Sequence, residues 1–322
     1  MNYLHLGIDV AKLKLDVALL TDQGVHTAVF PNNSTGFRAL EDWLRRWPQP
    51  LRVCLEATGS YSLGVASFLH QRQRLVSLVN PLAVHYFART CLSRNKTDPH
   101  DALLIARYSQ QYNPRPWTPP TLAQQRLQTL VRTREQILDS RMLVQQHLEN
   151  APAGAAVYFR AQLRQLQRQT EKVEQQIRQA WQAVPEMALA MSWLTSIPGI
   201  GEITAATILA ILPPVEQMRS ARQLAAFAGV SPCQKQSGNS PGRTRLSKLG
   251  HRRLRKALYW PAITALRCNP RAQALAQRLA EKGKRKMVII GAVMRLLTHL
   301  IYGVLKNRHP FDPNYLQVPV AS

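Results

Sequence analysis

The chain has 322 residues, with 42 Lys or Arg against 18 Asp or Glu, and a net charge of +24. This length allows two or three domains, and an apolar fraction of 45% is that of a globular protein rather than a disordered one. The large positive charge indicates a polyanionic partner. Four widely spaced cysteines without a Cys-x-x-Cys motif argue against a structural zinc site or a disulfide framework: Cys54, Cys91, Cys233 and Cys268. We find no signal peptide and no 18-residue apolar run, and therefore expect a cytoplasmic protein, nucleoid-associated and prokaryotic, with no membrane partner.

The charge is unevenly distributed along the chain. Residues 1–110 hold 12 basic and 8 acidic side chains, whereas residues 235–308 hold 18 basic side chains and one acid, Glu281. We therefore expect the C-terminal third to be the main polyanion-binding surface. The acids of the N-terminal third are expected to serve a second purpose.

The N-terminal third is predicted to be an α/β domain. Short apolar runs bounded by turn residues predict strands at Tyr3–Val10, Leu15–Leu20, His26–Phe30, Arg52–Glu56 and Leu75–Val79. Helices are expected from Ser34, as a capping residue, to about Trp47, from about Ser60 to Gln71, from about Leu82, and from Asp98 to Gln111. Three consecutive strands followed by alternating helices and strands make a mixed sheet with helices packed on it.

A helical hairpin is predicted for the middle of the chain. Residues 121–149 read as one helix, and a second helix carries apolar residues at alternating spacings of 4 and 3: Phe159, Leu163, Leu166, Thr170, Val173, Ile177 and Ala180. This heptad seam is narrow, so we expect it to pack against a second copy of the chain. A long hairpin packed only on its own domain is the alternative.

The last third is expected to be mostly helical. The stretch 196–202 (SIPGIGE) precedes an apolar helix, and a tight turn of one proline and two glycines at a helix start can present backbone N–H groups to a phosphate. It is similar to the turn of helix-hairpin-helix modules, which hold the DNA backbone. A plain turn between two helices is the alternative.

Four acidic residues are candidates for one metal site. Asp9 and Glu56 end two predicted strands, where side chains converge at one edge of a sheet. Asp98 and Asp101 share a face on the first turn of their helix. Unpaired carboxylates would repel one another, and Mg²⁺ would relieve this, because it prefers oxygen ligands and shares its sites with substrate phosphates. Two such ions stabilise the attacking and leaving oxygens of a phosphoryl displacement.

Each acid also has a structural explanation. Asp98 is a favoured helix cap, and Asp101 would complement the helix dipole. Asp9 could be a turn residue, and Glu56 could pair with a nearby arginine. Asp16 competes with Asp9 for a ligand role, but Lys12 and Lys14 beside it favour a solvated strand face.

A polar, glycine-containing loop at 227–251 precedes a basic helix. A serine hydroxyl among cations could attack a phosphodiester if a base or metal accepts its proton. Alternatively, the hydroxyls only donate hydrogen bonds to phosphates.

Several blocks in order along nearly the whole chain carry a family resemblance. They are GIDVAKLKLDVALL, CLEATGSY, RNKTDPHDALLIARY, SIPGIGEITAATIL, ARQLAAFAGVSP, the Ser-Gly loop, SKLGHRRLRKALY and GVLKNRHPFD. With these blocks, the chain resembles the DEDD-type insertion-sequence transposases, recombinases that are guided by a structured bridge RNA.

The resemblance implies three domains and a set of site residues. A RuvC-like (RNase H-fold) domain, residues 1–115, would bind two Mg²⁺ ions per composite active site through Asp9, Glu56, Asp98 and Asp101. A coiled-coil hairpin, 116–185, would bring subunits together as a homodimer and a tetramer. A helical domain, 186–322, would carry the nucleophile Ser237, with Ser240 as a competitor because the following loop is one residue shorter than the family pattern.

The implied reaction separates the roles of acids and serine. The acids hold metal at the scissile phosphate of donor or target DNA, while the serine attacks and keeps the strand as a phosphoserine. The family builds its site from two subunits, so Ser237 could serve another subunit's carboxylates. Base pairing with the bridge RNA would select sequence, and protein would hold backbone and shape. The residues expected to contact nucleic acid are Lys96, Gly199, Gly201, Arg243, Arg245, Lys248, Arg252 and Arg253.

Two other functions stay open from the residues. One is a RuvC-type metal-dependent junction nuclease, in which water rather than serine attacks. The other is a non-catalytic RNA-binding scaffold with structural acids.

Overall fold

A computed structural model describes residues 3–57, 59–91, 98–237 and 240–314, without the side chains at positions 60, 153, 235–237 and 240–243. The chain divides into two compact units, Met1–Pro119 and Pro120–Ser322. The first is a mixed α/β unit and the second is mostly helical, as the sequence predicted.

The first unit contains a five-stranded sheet and four helices. Strands β1 to β3 form an antiparallel meander, and β4 and β5 are parallel to β1, in the order β3-β2-β1-β4-β5. The strands are β1 (Leu4–Val10), β2 (Lys14–Thr21), β3 (Gly24–Pro31), β4 (Leu51–Glu56) and β5 (Leu75–Val79). The helices are α1 (Ser34–Leu44), α2 (Ser60–Gln71), α3 (Pro81–Thr90) and α4 (Asp98–Tyr112).

Alternation along the strands gives the sheet two different faces. The larger apolar core includes Leu6, Ile8, Val17 and Val53, packed with residues of α1 and α2. On the opposite face a smaller cluster, which includes Cys54 and Ile105, packs α3 and α4 against the sheet. This second face also carries the acidic side chains.

The predicted first helix has a different start and end. Its cap is Asn33, whose side chain accepts a hydrogen bond from Gly36 N, rather than Ser34. Asn33 has the extended backbone conformation that a capping residue needs, and Ser34 is already helical. The helix ends at Leu44, three residues before the predicted end at Trp47.

The second unit begins with two long helices that pack against each other, α5 (Leu122–Glu149) and α6 (Ala153–Gln182). The seam residues Thr170, Val173, Ile177 and Ala180 are buried, whereas the first part of the seam is only half-buried. The seam is therefore buried at the end far from the connecting turn, and exposed apolar side chains lie near that turn. Whether these meet a second copy stays a prediction.

The rest of this unit is a helical core with one small hairpin. Its helices are α7 (Pro185–Thr195), α8 (Glu202–Ile211), α9 (Ala221–Ala228), α10 (Arg252–Cys268), α11 (Pro270–Glu281) and α12 (Lys286–Asn307), with a 3₁₀ turn at Val215–Gln217. The two-stranded antiparallel sheet consists of β6 (Pro232–Ser237) and β7 (Ser240–Leu246).

Helix α12 is long and apolar enough to cross a membrane by length and composition, so the expectation that the chain has no such run is wrong. Most of the helix is buried, and it packs against α7, α9, α10 and α11. It therefore forms the centre of the second unit's core, a position that also selects for a continuous apolar helix.

Candidate active site

Three carboxylates lie on one face of the sheet. Asp9 of β1 pairs with Asp16 of β2, and the parallel register that pairs Ile8 with Leu55 places Asp9 next to Glu56 in β4. Residues paired across neighbouring strands project to the same side. Asp9, Asp16 and Glu56 therefore share the face that α4 covers.

Helix α4 lies directly on this face because Gly7 lacks a side chain. A Cβ at Gly7 would overlap the carbonyl oxygen of Ala102 and the amide nitrogen of Ala106. Two residues earlier in β1, His5 Nδ1 is 3.0 Å from Ser109 Oγ. These contacts show that α4 runs antiparallel to β1, so its first turn lies at the Asp9 end of the strand.

The first turn of α4 supplies two further carboxylates, Asp98 and Asp101. Burial raises the pKa of Asp9, and the nearby charges of Asp101, Asp98 and Asp16 raise it further, in that order. A like charge raises a carboxyl pKa only at short range. Asp9 is thus the centre of an acidic group drawn from β1, β2 and α4.

Lys14 was not singled out by the sequence analysis as part of the site, yet it lies between two of these acids. Its Nζ is 2.6 Å from Asp98 Oδ2 and 3.1 Å from Asp16 Oδ2. The hydrogen bond to Asp98, followed by the interaction with Asp16, raises the pKa of Lys14. The sequence did offer a signal for Lys14: it is two residues from Asp16 in a strand that pairs with the Asp9 strand, so both side chains project to the same face.

The prediction that Asp16 lies on a solvated face is wrong. Asp16 is 2% exposed, because α4 covers the strand face from which it projects. Its Oδ2 lies 3.1 Å from Lys14 Nζ, so the lysine ammonium balances its charge. A buried carboxylate of this kind needs a nearby cation.

The acidic group fits Mg²⁺ by the chemistry of its donors. Among the described residues, no three His, Cys, Asp or Glu side chains stand around a common point as a finished metal site. However, the neighbouring carboxylates raise the pKa of Asp9 further than burial alone does. A hard cation with oxygen ligands would relieve this repulsion.

Glu56 and Lys96 are the remaining predicted site residues of the first unit. Glu56 lies on the same face, at the end of β4, and takes part in an interaction of its own. Lys96, predicted to contact nucleic acid, lies outside the described residues. The residue before Asp98 does as well, so the alternative that Asp98 caps α4 stays a prediction.

The serine-containing segment was predicted as a loop, which is wrong for most of its length. Residues 232–237 and 240–246 form the paired strands β6 and β7, and Ser237 pairs with Ser240. Two prolines and two glycines hid these strands, and a two-stranded sheet has only edge strands, where proline is tolerated. The side chains of Ser237, Ser240 and Arg243 lie outside the described ones.

The predicted basic helix, α10, begins directly after this hairpin. His251 caps it by accepting a hydrogen bond from Leu254 N, and burial lowers the pKa of His251. Arg252 is exposed, whereas Arg253 forms an ion pair with Glu135 of α5, with Nη2 2.6 Å from Oε2. Of these two predicted contacts, Arg252 is therefore the better placed to meet a phosphate.

The glycine turn before α8 is shaped by packing. Gly199 has a φ of +104°, and a Cβ there would lie 2.9 Å from Ala265 Cβ in α10. The side chain of Asn269 also donates a hydrogen bond to Pro198 O. Gly201 is exposed, with space around it, but Glu202 follows it and pairs with Arg178. Phosphate binding at this turn stays a prediction.

Comparison with known proteins gives two family matches along the chain. A transposase family model matches residues 6–151, and the model described as "Transposase IS116/IS110/IS902 family" matches residues 191–277. The first contains β1 to β5 with all four predicted acidic ligands. The second contains the hairpin with Ser237 and the helix α10.

Relatives match over nearly the whole length. The chain is 33% identical to the pilin gene-inverting protein of Moraxella lacunata over 97% of this chain and 98% of that one. It is 25% identical to a probable family 20 transposase of Pseudomonas aeruginosa, over 83% and 86% of the two chains.

Among solved structures, T. thermophilus RuvC in complex with a Holliday junction substrate matches 36% of this chain and 100% of that one, at 14% identity and a TM-score of 0.28. The two share too little geometry at this score for the match to bear on fold or activity. The family models and the full-length relatives do bear on it: the chain belongs to the IS116/IS110/IS902 family of transposases.

Proposed function

We propose that this chain is an RNA-guided DNA recombinase that moves an insertion sequence through a phosphoserine intermediate with Mg²⁺. The observation that carries the proposal is the acidic group around Asp9. In a chain of net charge +24, β1, β2 and α4 bring carboxylates close enough to raise the pKa of Asp9.

Asp9, Glu56, Asp98 and Asp101 would hold the metal, and bound Mg²⁺ would neutralise charge on the scissile phosphate and on the oxygens entering and leaving it. Asp16 and Lys14 keep the group in place: Lys14 bridges β2 and α4 through Asp16 and Asp98. This bridge also holds the acids together when no substrate phosphate is present.

Ser237 supplies the nucleophile in this proposal. Its hydroxyl oxygen bonds to the phosphorus of one DNA phosphodiester, the bond from phosphorus to the leaving sugar oxygen breaks, and the serine proton passes to that oxygen or to solvent. The DNA strand stays attached as a phosphoserine, so no water is consumed. Attack by the hydroxyl of a second strand reverses the step and releases the serine.

The charge distribution supports nucleic-acid guidance. Residues 235–308 carry 18 basic side chains, of which Arg245, Lys248 and Arg252 are exposed. Contacts of this kind bind phosphates without reading sequence, and in this proposal a base-pairing RNA selects the DNA site. The transposase family model that matches residues 191–277, and the probable transposase that matches 83% of this chain, support a DNA substrate.

A covalent-adduct assay tests the proposal. Purified protein is mixed with RNA from the flanking element, labelled donor and target DNA, and Mg²⁺, and the products are separated on a denaturing gel. We expect protein-linked DNA from the wild type and none from Ser237→Ala or Asp98→Asn. The asparagine side chain has nearly the shape of aspartate, but its neutral amide cannot supply the charge of a metal ligand.

Two results would overturn the proposal, each in favour of an alternative. Free nicked DNA without an adduct, persisting in Ser237→Ala, would identify a hydrolytic nuclease. Recombination that persists unchanged in Asp98→Asn would make the acids structural and leave a binding scaffold. Omitting the RNA should abolish the adduct, and an adduct that forms equally well without RNA would remove RNA guidance from the proposal.

A further inference from the structure

A cavity of about 820 Å³ lies in the second unit beside the hairpin that carries Ser237. One wall is a face of α12 that includes Val288, Ala292 and Leu296, and another is the base of the hairpin, at Thr244 to Leu246. The size lies in the range of small-ligand sites, about 300–1,000 Å³. Neither the acidic group nor the proposed serine step uses this cavity.

The cavity combines an apolar floor with a positively charged rim. Arg245, Lys248, Arg278 and Arg295 line it, and no Asp or Glu of the described residues does. None of these four forms an ion pair with another described residue. An occupant should therefore have a flat or apolar body and at least one negative charge.

Two buried side-chain nitrogens on α12 lack hydrogen-bond partners among the described residues. Arg295 and His299 are four residues apart and so share a helix face, and both line the cavity. Arg295 Nε and His299 Nε2 are buried without a hydrogen-bond partner among the described residues. Buried polar atoms without partners are rare in folded proteins, and a side-chain rotation toward the cavity would let the edge of a ligand satisfy them.

The glycine at position 291 lets the base of the hairpin pack closely against α12. A Cβ at Gly291 would lie 3.2 Å from the Leu246 side chain, a tight contact, so glycine lets the hairpin base seat against α12. Met287 and Val288, at the start of α12, also line the cavity and are 63% and 49% exposed. Exposed apolar side chains at the mouth of a charged cavity are suited to cover a base plane.

We propose that this cavity binds a single base extruded from the DNA strand, with the phosphate of that nucleotide at the cationic rim. The proposal rests on the proposed recombinase function, which brings DNA to the hairpin. A base offers a flat apolar body, acceptor atoms on its edge and an attached anionic phosphate. Enzymes that flip bases bind them between apolar or aromatic side chains and pair their edges with hydrogen bonds.

The hairpin sets the distance between the cavity and the candidate nucleophile. From Thr244 at the cavity to Ser240 at the turn, β7 extends by four residues, or about 13 Å. One DNA strand advances about 3.4 Å per nucleotide, so this spans about four nucleotides. The extruded base is accordingly expected within a few nucleotides of the phosphate that Ser237 attacks.

Photocrosslinking tests the proposal without requiring catalysis. Full-length protein is bound to guide RNA and DNA, with 5-iodouracil at one position of the DNA in each sample, over ten positions around the exchange site. A parallel series carries 5-iodouracil in the RNA instead. After irradiation, crosslinked peptides are identified by mass spectrometry. We expect crosslinks to residues 287–299 from one or two DNA positions only.

Two variants give the matched comparison. Ala292→Phe fills the cavity and should reduce this crosslink by about tenfold, the loss expected when one stacked base is removed. Arg278→Glu should reduce it similarly, whereas Arg267→Glu, an exposed change of equal charge outside the cavity, should not. Circular dichroism verifies that the variants are folded. A second fill, Val288→Trp at an exposed lining position, replaces Ala292→Phe if the latter does not fold.

Three results would overturn the inference: no crosslink to residues 287–299, a crosslink only from iodouracil placed in the RNA, or a DNA crosslink that the filled variant retains. The covalent-adduct assay separates these from failure of the recombinase proposal. If the wild type forms the serine adduct but shows none of the expected crosslinks, the cavity proposal fails alone. If no adduct forms, the recombinase proposal fails.

Discussion

Gly7→Ala should displace α4 and so disrupt the acidic group without changing any acid. The added Cβ would overlap backbone atoms of Ala102 and Ala106 and lie 3.0 Å from Ala106 Cα. Carbon atoms in contact are normally about 3.5–4.0 Å apart, and backbone atoms can give way only if the helix moves. We expect a loss of about 3 kcal/mol in unfolding free energy, the upper part of the range for overpacked cores.

Denaturant unfolding, and thermal unfolding with and without Mg²⁺, test this expectation on the same samples. For a unit of 119 residues, a loss of this size lowers Tm by about 10 °C. Mg²⁺ should then no longer raise the Tm, because Asp98 and Asp101 have moved away from Asp9. The matched control is Gly64→Ala in α2, whose Cβ would meet only the Phe37 ring, at 3.4 Å. A Gly7→Ala protein with wild-type stability and a wild-type response to Mg²⁺ would refute the reasoning.

Three further expectations concern single side chains. The fold raises the pKa of Asp9 above its ordinary value of 3.8, so ionisation of Asp9 destabilises the fold as pH rises from 3.8 through the raised pKa. Metal-free Asp9→Asn should therefore have a higher Tm than the wild type at pH 7 and an equal Tm at pH 3. An equal Tm at pH 7 would contradict this. A double-mutant cycle of Glu135→Gln and Arg253→Gln should give a coupling of about 1 kcal/mol in denaturant unfolding, and a value near zero would show that the ion pair adds nothing. Tyr158 is 75% exposed near the α5–α6 turn and is expected to contact a second subunit, so Tyr158→Glu should lower the mass measured by light scattering. Trp260 is 71% exposed at another place, and Trp260→Glu should leave the mass unchanged. Equal masses for the two variants would contradict this.

Much of the first unit could be predicted from local patterns. The alternating apolar strands and the turn residues between them specified β1 to β5, and the mixed arrangement was confirmed. Pairing of Asp9 with Asp16 was also accessible, since a tight turn joins β1 and β2. The burial of Asp16 could not be predicted in the same way. Strand β2 is apolar on both faces, and α4, which is distant in sequence, covers the face that carries Asp16.

The second unit was harder to predict, for two physical reasons. Proline and glycine in 232–246 indicated a loop, because both residues disfavour strands unless the strand lies at an edge. The cavity depends on how α11, α12 and the hairpin pack together, and no local pattern encodes such packing. Similarly, the ion pair between Arg253 and Glu135 joins residues 118 positions apart, so Arg253 looked like any other cation of a basic helix.

Mapping the protein–DNA linkage is the most direct test of the central claim. Wild-type protein is incubated with guide RNA, DNA and Mg²⁺, the DNA is trimmed with nuclease, and the modified peptide is identified by mass spectrometry. The account predicts a nucleotide joined to Ser237 through its hydroxyl oxygen, and no modified serine when Mg²⁺ is chelated. Cleaved DNA ends with every serine unmodified would contradict serine attack, and a nucleotide on Ser240 would contradict the assignment of the nucleophile.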